Sequence, residues 1–267
     1  MLRLSKPRLG HFKEEDTPKP RESKPASHQD ILPSDCKKRR TEHRATSPQQ
    51  PGRILEANFP HLYWILCVAY CIDLILEDIF KVRVFKETSC KAIELIGFIY
   101  GSSGVLNMLR NFTKGVELLR PGKTRFATTF ITLGRIHLQK ANIRKMFTSE
   151  NWTTSKWAKE VKGKKCERTV LSPAFWNHVV YALKVSGPLV CVLRLVNNEK
   201  KLAMGYIYEV MDRAKETNAN SFNGNEEKYK HIFEIIDARW SVQLHHPLHA
   251  ARYFLNPEFF LSKQDEN

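Results

Sequence analysis

Several features that would assign a function directly are missing from this chain. No Gly-x-Ser-x-Gly elbow is present, so a nucleophile of that type is excluded. Gly122-Lys123-Thr124 looks like the end of a phosphate-binding loop, but Arg120-Pro121 stands where that loop would run, and no glycine opens it at the required spacing. The six cysteines, Cys36, Cys67, Cys71, Cys90, Cys166 and Cys191, are scattered without framework spacing, which argues against a disulfide scaffold. Met1 to Gly10 is basic and lacks an apolar segment, so reduced thiols in a nuclear or cytosolic protein are expected. The apolar run Leu62 to Leu76 falls short of the ~20 residues that a membrane-crossing helix needs, and it contains Asp73. It reads as core, and no membrane partner is expected.

Acids are also scarce. The 267 residues carry 28 Asp+Glu against 43 Lys+Arg, a net charge of +15. Such an excess favours polyanions, nucleic acid above all, because phosphate contacts release counterions. A charge that serves only solubility is the alternative. Apolar residues make up 42% of the chain, with 15 Phe, 8 Tyr and 5 Trp, enough to bury a core.

Residues 1–53 hold seven of the 13 prolines, 13 Lys+Arg and seven Asp+Glu, with few large apolar side chains. Such a segment buries too little apolar surface to offset its ordering entropy, so a disordered basic tail is predicted. Within it, Lys37-Lys38-Arg39-Arg40 reads as a nuclear import signal, a nucleic-acid contact or an unread charge run. From Ile54 the chain looks folded. Pro60 to Leu66 reads as a buried strand and Cys67 to Phe80 as a helix, with Asp73, Glu77 and Asp78 on its wet side. The rest is nearly all helical in pattern: Cys90 to Tyr100, Val105 to Leu119, Thr124 to Phe147, and a helix that starts at Ser172-Pro173 and ends near Val185 before Gly187-Pro188. Leu189 to Val196 fits a short helix or strand. Ala203 to Thr217, Glu226 to Leu244 and Pro247 to Leu255 read as further helices, with Asn218 to Asn225 as a polar loop.

A second basic centre, Arg135 to Arg168, holds ten Lys+Arg and three acids around Trp152 and Trp157. Aromatics among cations suit single strands or hairpins; tryptophans packed in the core beside a solvated lysine face is the competing and favoured reading. Cys67 and Cys71 with His245 and His249 have ligand chemistry at helical spacing, yet cysteine is often buried as a plain hydrophobe, and no metal or other cofactor is expected. Asp73, Glu77 and Asp78 share one helix, whereas two-metal chemistry needs carboxylates converging from separate elements.

Ile54 to Trp64, followed by Cys67 to Ile79, resembles plant hAT-superfamily transposases, in the part that carries a domain of unknown function. Phe112-Thr113-Lys114, Arg120 to Thr128, Met146 to Glu150, Ala203 to Tyr208, Trp240 with Leu244 to Ala251, and Tyr253 to Pro257 resemble the same family in order, so the likeness spans about 53–260. It implies a mainly α chain: a disordered tail (1–53), one strand-helix unit of a ribonuclease H-like core (54–82), a helical insertion region (83–260) and a short tail (261–267). None of the family's three catalytic acids has a counterpart here, so the resemblance implies a truncated, inactive derivative. The family's Cys-x2-His motif reads Cys67 and Tyr70, and its Thr-Arg-Trp motif reads Thr124-Arg125-Phe126. Weak, non-specific DNA binding in the nucleus is expected, through Lys37, Lys38, Arg39, Arg40, Arg125, Arg144, Lys145, Lys164 and Lys165. The alternative is an interaction module that binds an intact transposase or another nuclear protein.

Overall fold

The computed structural model describes residues 49–62, 64–120, 122, 126–197, 205–245 and 247–256, all within the compact unit Leu32–Asn267. The architecture is helical, and no strand occurs among the described residues. The helices are α1 (Gln49–Asn58), α2 (Val68–Lys81), α3 (Arg83–Tyr100), α4 (Ser103–Thr113), α5 (Phe126–Leu138), α6 (Lys140–Phe147), α7 (Glu150–Thr153), α8 (Lys156–Lys159), α9 (Val161–Leu171), α10 (Pro173–Val196), α11 (Ile207–Ser221), α12 (Lys230–Gln243) and α13 (Pro247–Phe254).

The stripe on α2 sets the pattern for the core. Val68, Cys71, Ile72, Ile75, Leu76 and Ile79 recur at three- and four-residue steps and are all buried. One extended residue, Val82, separates α2 from α3 and lets α3 double back with Phe85, Ala92, Leu95, Ile96 and Ile99 inward. α10 is the hub. It packs against α2, α3, α5 and α11, burying Phe175, Trp176, Val179, Val185 and Leu189 among others. By length and composition α10 could cross a membrane; in this fold its apolar residues form the centre of the core. In a second layer, α4 and α9 lie against α3 and α6 packs on both of them, with Met146, Phe147 and Trp152 filling the interior.

The expected strand at Pro60–Leu66 does not form. A strand needs a neighbouring strand to pair its backbone groups, and the described chain offers none. Leu62 and Trp64 are exposed, and only Leu66 enters the core. The segment instead turns back on α1: the Trp64 N–H donates to Glu56 Oε1 at 2.7 Å, and the indole lies against Gly52. Helix α2, the other half of the expected strand-helix unit, is buried among helices. α1 begins at Gln49, so residues 49–53 are helical where a tail was expected; the rest of that tail, 1–48, lies outside the described residues.

Other boundaries move for local reasons. α4 stops at Thr113, not Leu119, because Lys114 and Gly115 turn into the left-handed region with φ of 53° and 81°. The following loop is held by Tyr100, whose hydroxyl lies 2.5 Å from Glu117 Oε2 and accepts the Leu118 N–H at 3.0 Å. Gly187-Pro188 does not break the chain: α10 runs through it to Val196, and Leu189 to Val196 is helix. α11 extends to Ser221, so Asn218 is not in a loop; it is buried and donates to the Val185 carbonyl at 3.0 Å.

Candidate nucleic-acid interface

Helices α6 and α9 pack directly against each other. Each spends one stripe on the core and presents the remainder to solvent. α6 buries Ile143, Met146 and Phe147, which leaves Arg144 and Lys145 exposed. α9 buries Gly163, Cys166 and Val170, which leaves Lys162, Lys164, Lys165 and Arg168 exposed. The short α8 adds Lys156 and Lys159. Cations in the last turns of α6 and α9 also suit the negative ends of those helices.

Carboxylates neutralise little of this surface. Glu94 on α3 reaches Lys165 at 2.6 Å. Glu167 is drawn inward, where its Oε2 accepts the Trp152 indole N–H at 3.1 Å. Among the described residues, Arg144, Lys145 and Lys164 have no carboxylate within ion-pair distance. His137, at the end of α5, adds no charge at neutral pH, since burial and then Lys140 push its pKa down.

The two tryptophans of the basic stretch are structural. Trp152 is fully buried, edge-on to Phe147 at 4.5 Å and to Phe98 at 6.1 Å. Trp157 is partly buried against the start of α4. A Cβ on Gly104 would stand 2.1 Å from its ring, and one on Gly163 only 1.9 Å from its carbonyl oxygen. Those two positions admit glycine because Trp157 fills the space above them. The Lys156 ammonium covers the ring at 5.5 Å.

The structure thus brings Arg144, Lys145, Lys164 and Lys165 onto adjoining helices. Lys37, Lys38, Arg39, Arg40 and Arg125 lie outside the described residues. Lys159 of α8 and Lys162 and Arg168 of α9 belong to the same exposed set and were not singled out from sequence; for the α9 pair the signal was their spacing complementary to Gly163, Cys166 and Val170.

The other candidate chemistries disperse. Cys67 is exposed at the start of α2, whereas Cys71 is core, its thiol pushed up to about 12 chiefly by burial. His245 meets the Tyr208 hydroxyl at 3.3 Å, and the buried His249 faces the Leu244 carbonyl through Nδ1 at 2.8 Å. Among the described residues no three His, Cys, Asp or Glu side chains converge as a metal site. Nor are the α2 acids a purely solvated face. Asp73 Oδ1 accepts the Ala127 N–H at 3.3 Å, at the start of α5. Asp78 binds Arg239 of α12 at 2.6 Å and Lys81 at 2.7 Å, closing one wall of a cleft of about 630 Å³ between α2 and α12.

Residues 42–95 match the sequence model of a domain of unknown function, DUF659, a family found in hAT-type transposase-like proteins. The described part of that span comprises α1, α2 and the first two-thirds of α3. No curated protein and no solved structure matches the chain.

Proposed function

We propose that the chain is a plant hAT-transposase derivative that acts in the nucleus, binds nucleic acid through charge, and does not cut or join DNA. The observation that carries the binding is the set of exposed cations on α6 and α9, of which Arg144, Lys145 and Lys164 have no carboxylate partner among the described residues and Lys165 pairs with Glu94. The DUF659 match over 42–95 and the ordered resemblance over about 53–260 support the origin. What supports the lack of catalysis is the role of the α2 acids, since Asp73 and Asp78 are occupied in holding helices together.

Phosphate contacts fix position without reading bases, so affinity should be nearly the same for unrelated duplexes. It should lie at about 10⁻⁴ to 10⁻⁶ M at physiological salt and fall steeply as salt rises. A salt titration of the full chain against two unrelated duplexes tests this. Nanomolar preference for one duplex, little affected by salt, would refute it. Incubation with labelled DNA in Mg²⁺ or Mn²⁺ tests the second half, and metal-dependent cleavage that persists through purification would overturn it.

One observation favours a different class of function, a protein-interaction module. Ile54, Leu55, Phe59, Leu62 and Trp64 are all exposed at the N-terminal edge of the fold, and none of them belongs to the core. Apolar surface of this density marks contact sites. An intact transposase or another nuclear protein is the partner this reading gives, and salt would barely affect such binding.

A further inference from the structure

We infer that the α6–α9 surface takes double-stranded nucleic acid by its backbone and discriminates against single strands. The inference rests on the nucleic-acid reading proposed above and narrows its ligand. Proteins that hold single strands stack bases on exposed aromatic rings set among cations. Residues 140–171 contain three aromatics, Phe147, Trp152 and Trp157. Phe147 and Trp152 are 1% and 0% exposed. The Trp157 ring is seated on the position of Gly104 and covered by the Lys156 ammonium. No ring in this stretch is left for a base.

What remains is charge in two groups, Arg144 and Lys145 on α6 and Lys162, Lys164, Lys165 and Arg168 on α9. The two groups stand on neighbouring helices that pack directly against each other, with axes about 8–10 Å apart. A duplex offers two phosphate rows, bordering grooves roughly 6 and 12 Å wide. A single strand offers one row, of lower charge density, and releases fewer counterions per phosphate contacted. Both arguments favour the duplex, and both are indifferent to base sequence.

The test uses the full chain and fluorescence anisotropy. The probes are a 20-base-pair duplex and an unstructured 20-nucleotide oligothymidylate, each titrated at three salt concentrations. The duplex should bind at least about tenfold more tightly, with a steeper salt dependence, near −0.9 against −0.7 per phosphate neutralised. A quadruple variant, R144A/K145A/K164A/K165A, should flatten the duplex slope by about 2–4 units while its helicity and melting stay those of the parent. Equal or tighter binding of oligothymidylate would overturn the inference yet leave the nucleic-acid reading standing. So would a duplex slope unchanged in the folded quadruple variant, which would place the contacts elsewhere on the chain. Absence of binding to either probe would overturn both.

Discussion

Single side chains join elements that lie far apart in the chain. The Asp78–Arg239 pair ties α2 to α12 across 161 residues. Burial alone would push the Asp78 carboxyl up, but the hydrogen bonds from Arg239 and Lys81 more than offset it and hold it below its ordinary value. A carboxyl lowered by folding contributes stability above its unfolded pKa of about 3.9 and loses it as pH falls through the folded value. The Asp78 and Arg239 side chains are 22% and 31% exposed; Asp78→Asn should therefore cost about 1–2 kcal/mol at neutral pH. The loss should shrink below about pH 4, as the parent itself becomes protonated. Denaturant melts of both proteins at pH 7 and pH 3 check this, and an equal difference at the two values would count against the assignment.

At the level of elements, α10 shows how tertiary packing overrides a local breaker. Pro188 cannot donate to the Lys184 carbonyl, and its ring crowds the preceding turn. Even so, Val185, Ser186, Leu189 and Val190 are buried on both sides of it, and the helix persists for 24 residues. Packing against α2, α3, α5 and α11 outweighs the local cost. Pro188→Ala should therefore restore a backbone bond and stabilise the protein by about 1–3 kcal/mol. A thermal melt decides it: a lowered midpoint would mean that the core is fitted to the proline's distortion of the helix.

At the scale of the whole molecule, the described residues divide into a packed interior that begins at Leu66 and an outer segment, 49–65, that precedes it. No described residue before Leu66 belongs to the core cluster, although α1 and its return segment are tied together through Glu56 and Trp64. The outer segment should therefore be separable from the fold. A chain beginning at Pro60 should keep the parent's melting midpoint within about 2 °C, since surface changes away from the core seldom exceed ±0.5 kcal/mol. It should also associate less, because Ile54, Leu55 and Phe59 are gone. Sedimentation of both proteins over a concentration series checks the second point, and a large fall in the melting midpoint would show that α1 supports the core.

Helical class was legible from sequence because it depends on spacing. The stripe on α2, the start of α10 at Ser172-Pro173 and the short α13 follow from where apolar residues, prolines and caps fall along the chain. The basic character of 135–168 was equally plain, since charge is a matter of composition. Tertiary structure decided what depends on neighbours. Pro60–Leu66 has the residues of a strand but no strand to pair with among the described residues, so Leu62 and Trp64 stay outside and Leu66 alone enters the core. Gly187-Pro188 has the residues of a break but lies inside a hub helix packed on several sides. Asp73 and Asp78 lie where a wet face was expected, yet each binds a group from a distant helix. The fate of Trp152 and Trp157 was settled the same way. Period and composition place a ring among lysines, but only the packing of α3, α4, α6 and α9 determines whether a base can reach it, because accessibility belongs to the assembled surface and not to any one segment.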